Sequence, residues 1–256
     1  MKTMTDVKQP VFTQGFAILS VLAFGALSVL IILGSWQVKR LIWKEALIAN
    51  VETKIKAEPA PFSAIKVKLT GYVKSDQKSY EYQPVTVSGV FDHAKEMFYF
   101  ATLDGDTGFH VYTPLQITNS DETVIINRGF VPNAQKQGET REGSQPAGEV
   151  EITGLVRFPD REKPNSFLPD NDIKQNIFFW RDINQMKLMA ELDDAKTAPV
   201  FIYENKQDNN RLPIGGVTII SFPNNHLGYA VTWYGLALTL IGVYAGLFWT
   251  RFKATA

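Results

Sequence analysis

The sequence predicts a membrane protein with two transmembrane helices flanking a mainly antiparallel β (α+β) extramembrane domain. Three observations predict it. Residues 15–36 and 227–249 contain no charged side chain, and each run matches the roughly 20 residues, at about 1.5 Å rise, that cross a hydrocarbon core of about 30 Å. Between them lie short runs rich in Val, Ile, Tyr and Phe, separated by turn compositions. At 256 residues the chain is also long enough to build a sizeable core outside the two apolar runs.

The elements follow in order: residues 1–14 as an N-terminal tail, 15–36 as the first span, 37–58 as a helical stalk, 59–225 as the β-rich domain, 226–249 as the second span and 250–256 as a short tail. The first apolar run follows lysines, as a signal peptide does. It exceeds a signal core of about 7–15 residues and ends in GSWQVKR rather than a small-x-small cleavage site, so it reads as a retained anchor. Trp36, Trp43, Tyr229 and Trp249 stand near the ends of the runs, as interfacial belts require, with Trp233 deeper in the second run. WQVKRLIWKEALIANVETKIKA then continues without Gly or Pro, with Trp36, Trp43, Leu47, Val51 and Ile55 expected on one helical stripe, until EPAP stops it.

Strands are expected at YQPVTVSGVF, EMFYFATL, FHVYTPLQI, ETVIINRGFV, GEVEITGLVRF, NIFFWRDI and APVFIYEN, with one short helix at INQMKLMAELDD. DGDTG reads as a hairpin turn. Consecutive strands without βαβ alternation argue for an antiparallel sheet or a small barrel.

Charge and composition exclude several functions. Lys and Arg number 26, as do Asp and Glu, so there is no electrostatic case for nucleic acid. No cysteine occurs, which removes disulfides, thiolate metal sites, thiol nucleophiles and a CxxCH haem attachment. GxSxG, HExxH, Walker and GxGxxG motifs are missing, so a soluble hydrolase or transferase is not expected. Asp170 and Asp172 in PDND read as a solvated turn, with a hard-cation site as the alternative. The tails carry Lys2, Lys8, Arg251 and Lys253 against Asp6 and leave the central region more acidic than basic, which favours cytoplasmic termini. Lys39, Arg40 and Lys44 pull the other way.

LGSWQVKRLIWK, YQPVTVSGVFD, GFHVYTPLQI, VIINRGFVP, EITGLVRFP, FFWRDINQM and NNHLGYAVTWYGLAL are similar, in order, to the motifs of the Surfeit-locus family, membrane factors that assist assembly of haem–copper cytochrome oxidase. NRGFVP and HLGYAVTWYG are the most specific, because each joins rare residues at fixed spacing. The resemblance implies a non-enzymatic, double-spanning assembly protein. In bacterial members it implies binding of haem A for delivery to the large subunit of cytochrome c oxidase, with haem A synthase as a further partner. The family's histidine in the second span matches His226. The short N-terminus lacks an Arg- and Ser-rich transit region, so a bacterial inner-membrane protein with a periplasmic main domain is expected.

On a helix, His226, Tyr229, Ala230, Trp233 and Ala237 lie along one face at steps of three or four. The residues alone allow two readings of His226, an interfacial cap or a metal ligand. With the resemblance, His226 is expected to be the axial ligand of haem A iron, Tyr229 and Trp233 part of the wall, and Ala230 and Ala237 the space for the macrocycle. Arg128, beside Gly129, is expected to hold a haem propionate, with a structural salt bridge as the alternative. Arg40 meets lipid headgroups or propionates, and His110 is a reserve ligand or a packing residue. Gly242 and Gly246 form a GxxxG suited to contact with the first span or with a partner's span. Trp180, Arg181 and Asp182 belong to the core and its rim. A cofactor-free scaffold for oxidase subunits is the competing function. A haem-modifying enzyme would need two or more histidines on spans, and only His226 qualifies.

Overall fold

The computed structural model describes residues 13–65, 80–206, 211–217 and 224–255. The expected N-terminal tail lies, up to residue 12, outside them. Two compact units emerge: residues 1–50 with 221–256, and residues 51–220.

The first unit is built from two long helices, the first of which ends five residues past its boundary. Helix α1, Gln14–Ile55, runs unbroken through the first apolar segment into the stalk sequence, since no Pro interrupts it before Pro59 and no Gly follows Gly34 within it. The C-terminal helix, α3, spans His226–Thr255. Both are apolar and long enough to cross a membrane, and Val21, Leu22, Ile32, Val231 and Leu238 are exposed on them, as lipid-facing side chains must be.

Their less exposed faces follow a repeat of alternating steps of four and three. On α1 it runs Phe16, Ser20, Ala23, Leu27, Leu30, Gly34, Gln37; on α3 it runs His226, Ala230, Trp233, Ala237, Leu240, Tyr244. A 3.5-residue period is what two helices need to stay in register along their length. Ser20 and Tyr244 share a hydrogen bond at 2.6 Å, and Phe16 stacks on Tyr244 with ring centroids 5.9 Å apart. Ser35 and Tyr234 share another at 3.0 Å. Early positions of α1 thus meet late positions of α3, so the helices run antiparallel.

Trp36 and Trp43 are half exposed and Val51 of the stalk is buried, while the stripe packed on α3 passes through Gln37. One expectation is corrected here. Gly242 and Gly246 do not join the helices: a Cβ added at either would meet nothing within 4 Å, and the contacts with α1 lie on the other stripe.

The second unit is the β domain. Its strands are β1 Ala60–Pro61, β2 Pro84–Phe91, β3 Met97–Leu103, β4 Asp106–Ile117, β5 Thr123–Pro132, β6 Glu149–Arg157, β7 Ile177–Phe178 and β8 Thr197–Glu204, with a short helix α2 at Ile183–Met189. They form one sheet in the order β1-β2-β6-β8-β5-β4-β3-β7. It closes because the end of β4 returns to β2, pairing Leu115 with Phe91 and Ile117 with Gly89. Strands β2, β6, β8, β5 and β4 therefore make a small barrel, with β3 and β7 extending past it. Most pairings are antiparallel; β1 with β2, β3 with β7 and, within the barrel, β5 with β8 are parallel.

The barrel interior collects side chains of one parity from all five strands: Val85 and Val87, Leu115, Val124 and Ile126, Ile152 and Val156, Val200 and Ile202. The opposite face of β8, through Phe201 and Tyr203, packs with Tyr112, Ile125 and the α2 residues Ile183 and Met186. Burial on both faces explains why APVFIYE is a continuous apolar run rather than an alternating one. The turn between β3 and β4 is Asp104–Gly105, both at positive φ (51° and 95°), the conformation that a tight hairpin demands of an Asp-Gly pair.

NIFFWRDI contributes only two residues to the sheet. Asn171 Oδ1 takes the backbone N–H groups of Phe179 and Trp180, and Asp182 turns to cap α2 by accepting from Asn184 N and Gln185 N.

Candidate functional site

His226 opens α3 and is half-buried. Its Nδ1 lies 2.7 Å from Oε1 of Gln37 on α1, and Trp36 meets the imidazole edge-on with ring centroids 6.5 Å apart. One turn further, Tyr234 covers Gly34, where an added Cβ would meet the ring at 3.0 Å. The lip of the helix pair therefore brings together a metal-competent nitrogen, an amide partner for its other nitrogen, and the Trp36 indole of α1, while Trp233 lies about two turns further along α3.

The predicted residues separate within this geometry. Trp233 shares the packed stripe with His226. Tyr229 does not: at about 100° per residue it sits roughly 60° to one side, and it is exposed. Ala230 and Ala237 are buried on the α1-facing stripe, so the space their small side chains were expected to leave for a macrocycle is taken up within the helix pair. Arg40 lies over Trp43 at 4.1 Å.

Arg128 lies in the other unit, and its position follows from a bulge. Val111 pairs with Gly129 and Tyr112 with Asn127, so Arg128 is the extra residue on β5. Asn127 Oδ1 accepts the N–H of Gly129 at 3.0 Å, and Gly129 sits at φ 114°. The displaced Arg128 side chain is buried. It donates to Glu96 Oε1 at 3.5 Å and to the Ser144 carbonyl, over the Phe91 ring. Arg141 donates to the other Glu96 oxygen, and His93 Nδ1 stands 3.5 Å from Oε1. Burial pulls the Arg128 pKa down, and Glu204 and Glu96 oppose that pull. The salt-bridge reading of Arg128 is thus the geometry seen, and a propionate there would have to compete with Glu96.

His110 lies on β4 beside an open pocket of about 420 Å³ whose lining includes Tyr99, Tyr112, Arg157 and Arg181. Burial lowers its pKa to about 4, with Asn127 opposing, so the ring is neutral near pH 7. Arg181 grips Asp160 through Nε and Nη2, and Tyr112 and Tyr203 join hydroxyls at 2.7 Å. This polar layer ties the loop after β6 to the barrel wall.

Among the described residues no three His, Asp or Glu side chains gather as a metal cluster. Asp170 pairs with Lys163 at 2.7 Å, and Asp172 accepts the Gln175 N–H, the contacts of a turn. Sequence reasoning missed Gln37. The available signal was an uncharged amide side chain at the exit of the first apolar run, between Trp36 and the charged pair Lys39 and Arg40.

These features define a class: a two-span membrane protein with a small β-barrel domain between its spans. A family model described as the SURF1 family matches residues 24–238. The chain is similar to Surfeit locus protein 1 of Homo sapiens, 37% identical over 222 residues that cover 80% of this chain and 69% of the human protein. The same protein of Mus musculus is 36% identical, with 80% and 67% covered. A SURF1-like protein of Drosophila melanogaster is 34% identical over 224 residues, with 80% and 69% covered. The chain belongs to the SURF1 family.

Proposed function

We propose that this SURF1-family chain is a non-enzymatic assembly factor for haem–copper cytochrome c oxidase that binds haem A through His226 and assists its delivery to the large catalytic subunit. Membership in the family supports the assembly role. The observation that carries the cofactor reading is His226 itself, a half-buried imidazole at the lip of an apolar helix pair, bordered by Trp36, with Trp233 about two turns further along the same stripe. The donor set fits the group: an imidazole nitrogen supplies an axial ligand to haem iron, the indoles supply flat apolar walls, and the lipid-facing surfaces suit the long apolar tail of haem A. With Ala230 and Ala237 packed away, the ring approaches from the flank that carries exposed Tyr229.

Bound haem supplies iron to be coordinated; the chain supplies the ligand and the apolar surroundings. In this reading the termini are cytoplasmic, the barrel domain is periplasmic, and haem A synthase is the upstream partner. Arg128 serves the barrel domain through Glu96 before it serves any propionate. The test is the haem content and absorption spectrum of protein purified from cells that make haem A, with and without His226. A cofactor-free scaffold gives no haem bands in either.

A further inference from the structure

Gln37 occupies a position on the packed stripe of α1 where the pattern otherwise places apolar or small residues. Its amide oxygen, 2.7 Å from His226 Nδ1, can only accept a hydrogen bond. A neutral imidazole carries one proton, and a free ring distributes it between its two nitrogens. With Gln37 Oε1 as acceptor the proton stays on Nδ1, and Nε2 keeps its lone pair. The Trp36 ring stands edge-on beside the imidazole, ring centroids 6.5 Å apart.

We infer that Gln37 is the positioning residue of His226: it sets the Nδ1–H tautomer, leaves Nε2 as the ligand atom, and holds the plane of the ring. This inference rests on the haem reading for its purpose, but its content is a property of the chain before any haem binds. Partners of this kind on the second nitrogen of a ligand histidine orient the ring, raise its basicity and contribute about 10–100-fold to metal affinity. Gln37 and His226 come from opposite ends of the chain, so the contact also makes ligand competence depend on correct pairing of the two spans.

The experiment is nitrogen NMR of haem-free protein carrying ¹⁵N-labelled histidine, in detergent micelles. The chain has three histidines, and His226→Ala identifies the relevant signals. The expected result is a protonated Nδ1 and an unprotonated Nε2 in the wild type, a mixture of tautomers in Gln37→Leu, and recovery of the Nδ1–H form in Gln37→Glu, which still presents an acceptor oxygen. In haem titrations Gln37→Leu should bind about 10–100-fold more weakly, with Gln37→Glu restoring affinity. A wild-type ring protonated at Nε2 overturns the inference, since Gln37 would then be donating through its amide nitrogen; that measurement needs no variant to fold. Gln37→Leu signals identical to wild type overturn it as well. Failure of the haem reading shows separately, as unchanged haem content in His226→Ala, and the apoprotein tautomer still decides the role of Gln37.

Discussion

Glu96 holds two guanidiniums at once, Arg128 on one oxygen and Arg141 on the other, all three side chains being buried. Removing its charge strands buried cations, the costly way to break such a cluster. Glu96→Gln should lower stability by about 3–5 kcal/mol, read from denaturant unfolding of the purified protein; a loss below about 1 kcal/mol would show that the cluster is better solvated than its burial implies. His110 gives a pH dependence. Its pKa falls from 6.5 to about 4 on folding, so between those values the unfolded chain binds the extra proton, and stability is lost as pH falls from 6.5 to 4. Wild type should lose on the order of 3 kcal/mol more than His110→Gln over that window, measured as unfolding midpoints at its two ends. Equal losses in both proteins would contradict a ring buried neutral. At this scale the sequence was partly readable: His226 and Arg128 stand out because a titratable ring at an apolar lip and an arginine beside a glycine are locally odd. Glu96 and Gln37 do not stand out, because what makes them matter is a partner far along the chain.

Among the elements, the bulge in β5 depends on one glycine. Gly129 at φ 114° lies where side chains are strained, and an added Cβ would run into the Ile214 carbonyl, which accepts the Phe130 N–H at 3.0 Å. Strain of this kind costs about 1–3 kcal/mol before any clash is counted. Gly129→Ala should therefore destabilise the barrel domain by at least about 2 kcal/mol in thermal or denaturant unfolding, and a neutral effect would mean that the bulge can be rebuilt elsewhere. NRGFVP looked like a functional signature; its spacing is also what a bulge requires. The helices were readable by apolar length, yet their packed faces were not. GxxxG suggested a contact with the first span that the stripe of Ala230, Ala237 and Tyr244 makes instead, and Gln37 gave no signal of the packed face. On a helix apolar nearly all round, hydrophobic periodicity cannot tell the partner face from the lipid face.

For the whole molecule, two spans around a mainly antiparallel β domain followed from composition alone, because uncharged runs of membrane length and short Val- and Phe-rich runs are local properties. Barrel closure was not local: it turns on pairing Phe91 with Leu115 and on the parallel seam of β5 with β8. The family was readable through motifs such as HLGYAVTWYG, and the structure sets the His226 of that motif against Gln37. The most direct measurement is the absorption spectrum and haem content of wild type and His226→Ala purified side by side from haem A-producing cells. The wild type should carry haem A with Soret and α bands that shift and weaken in His226→Ala, while His110→Ala and His93→Ala keep them. Wild-type bands and full haem content in His226→Ala would contradict the ligand assignment.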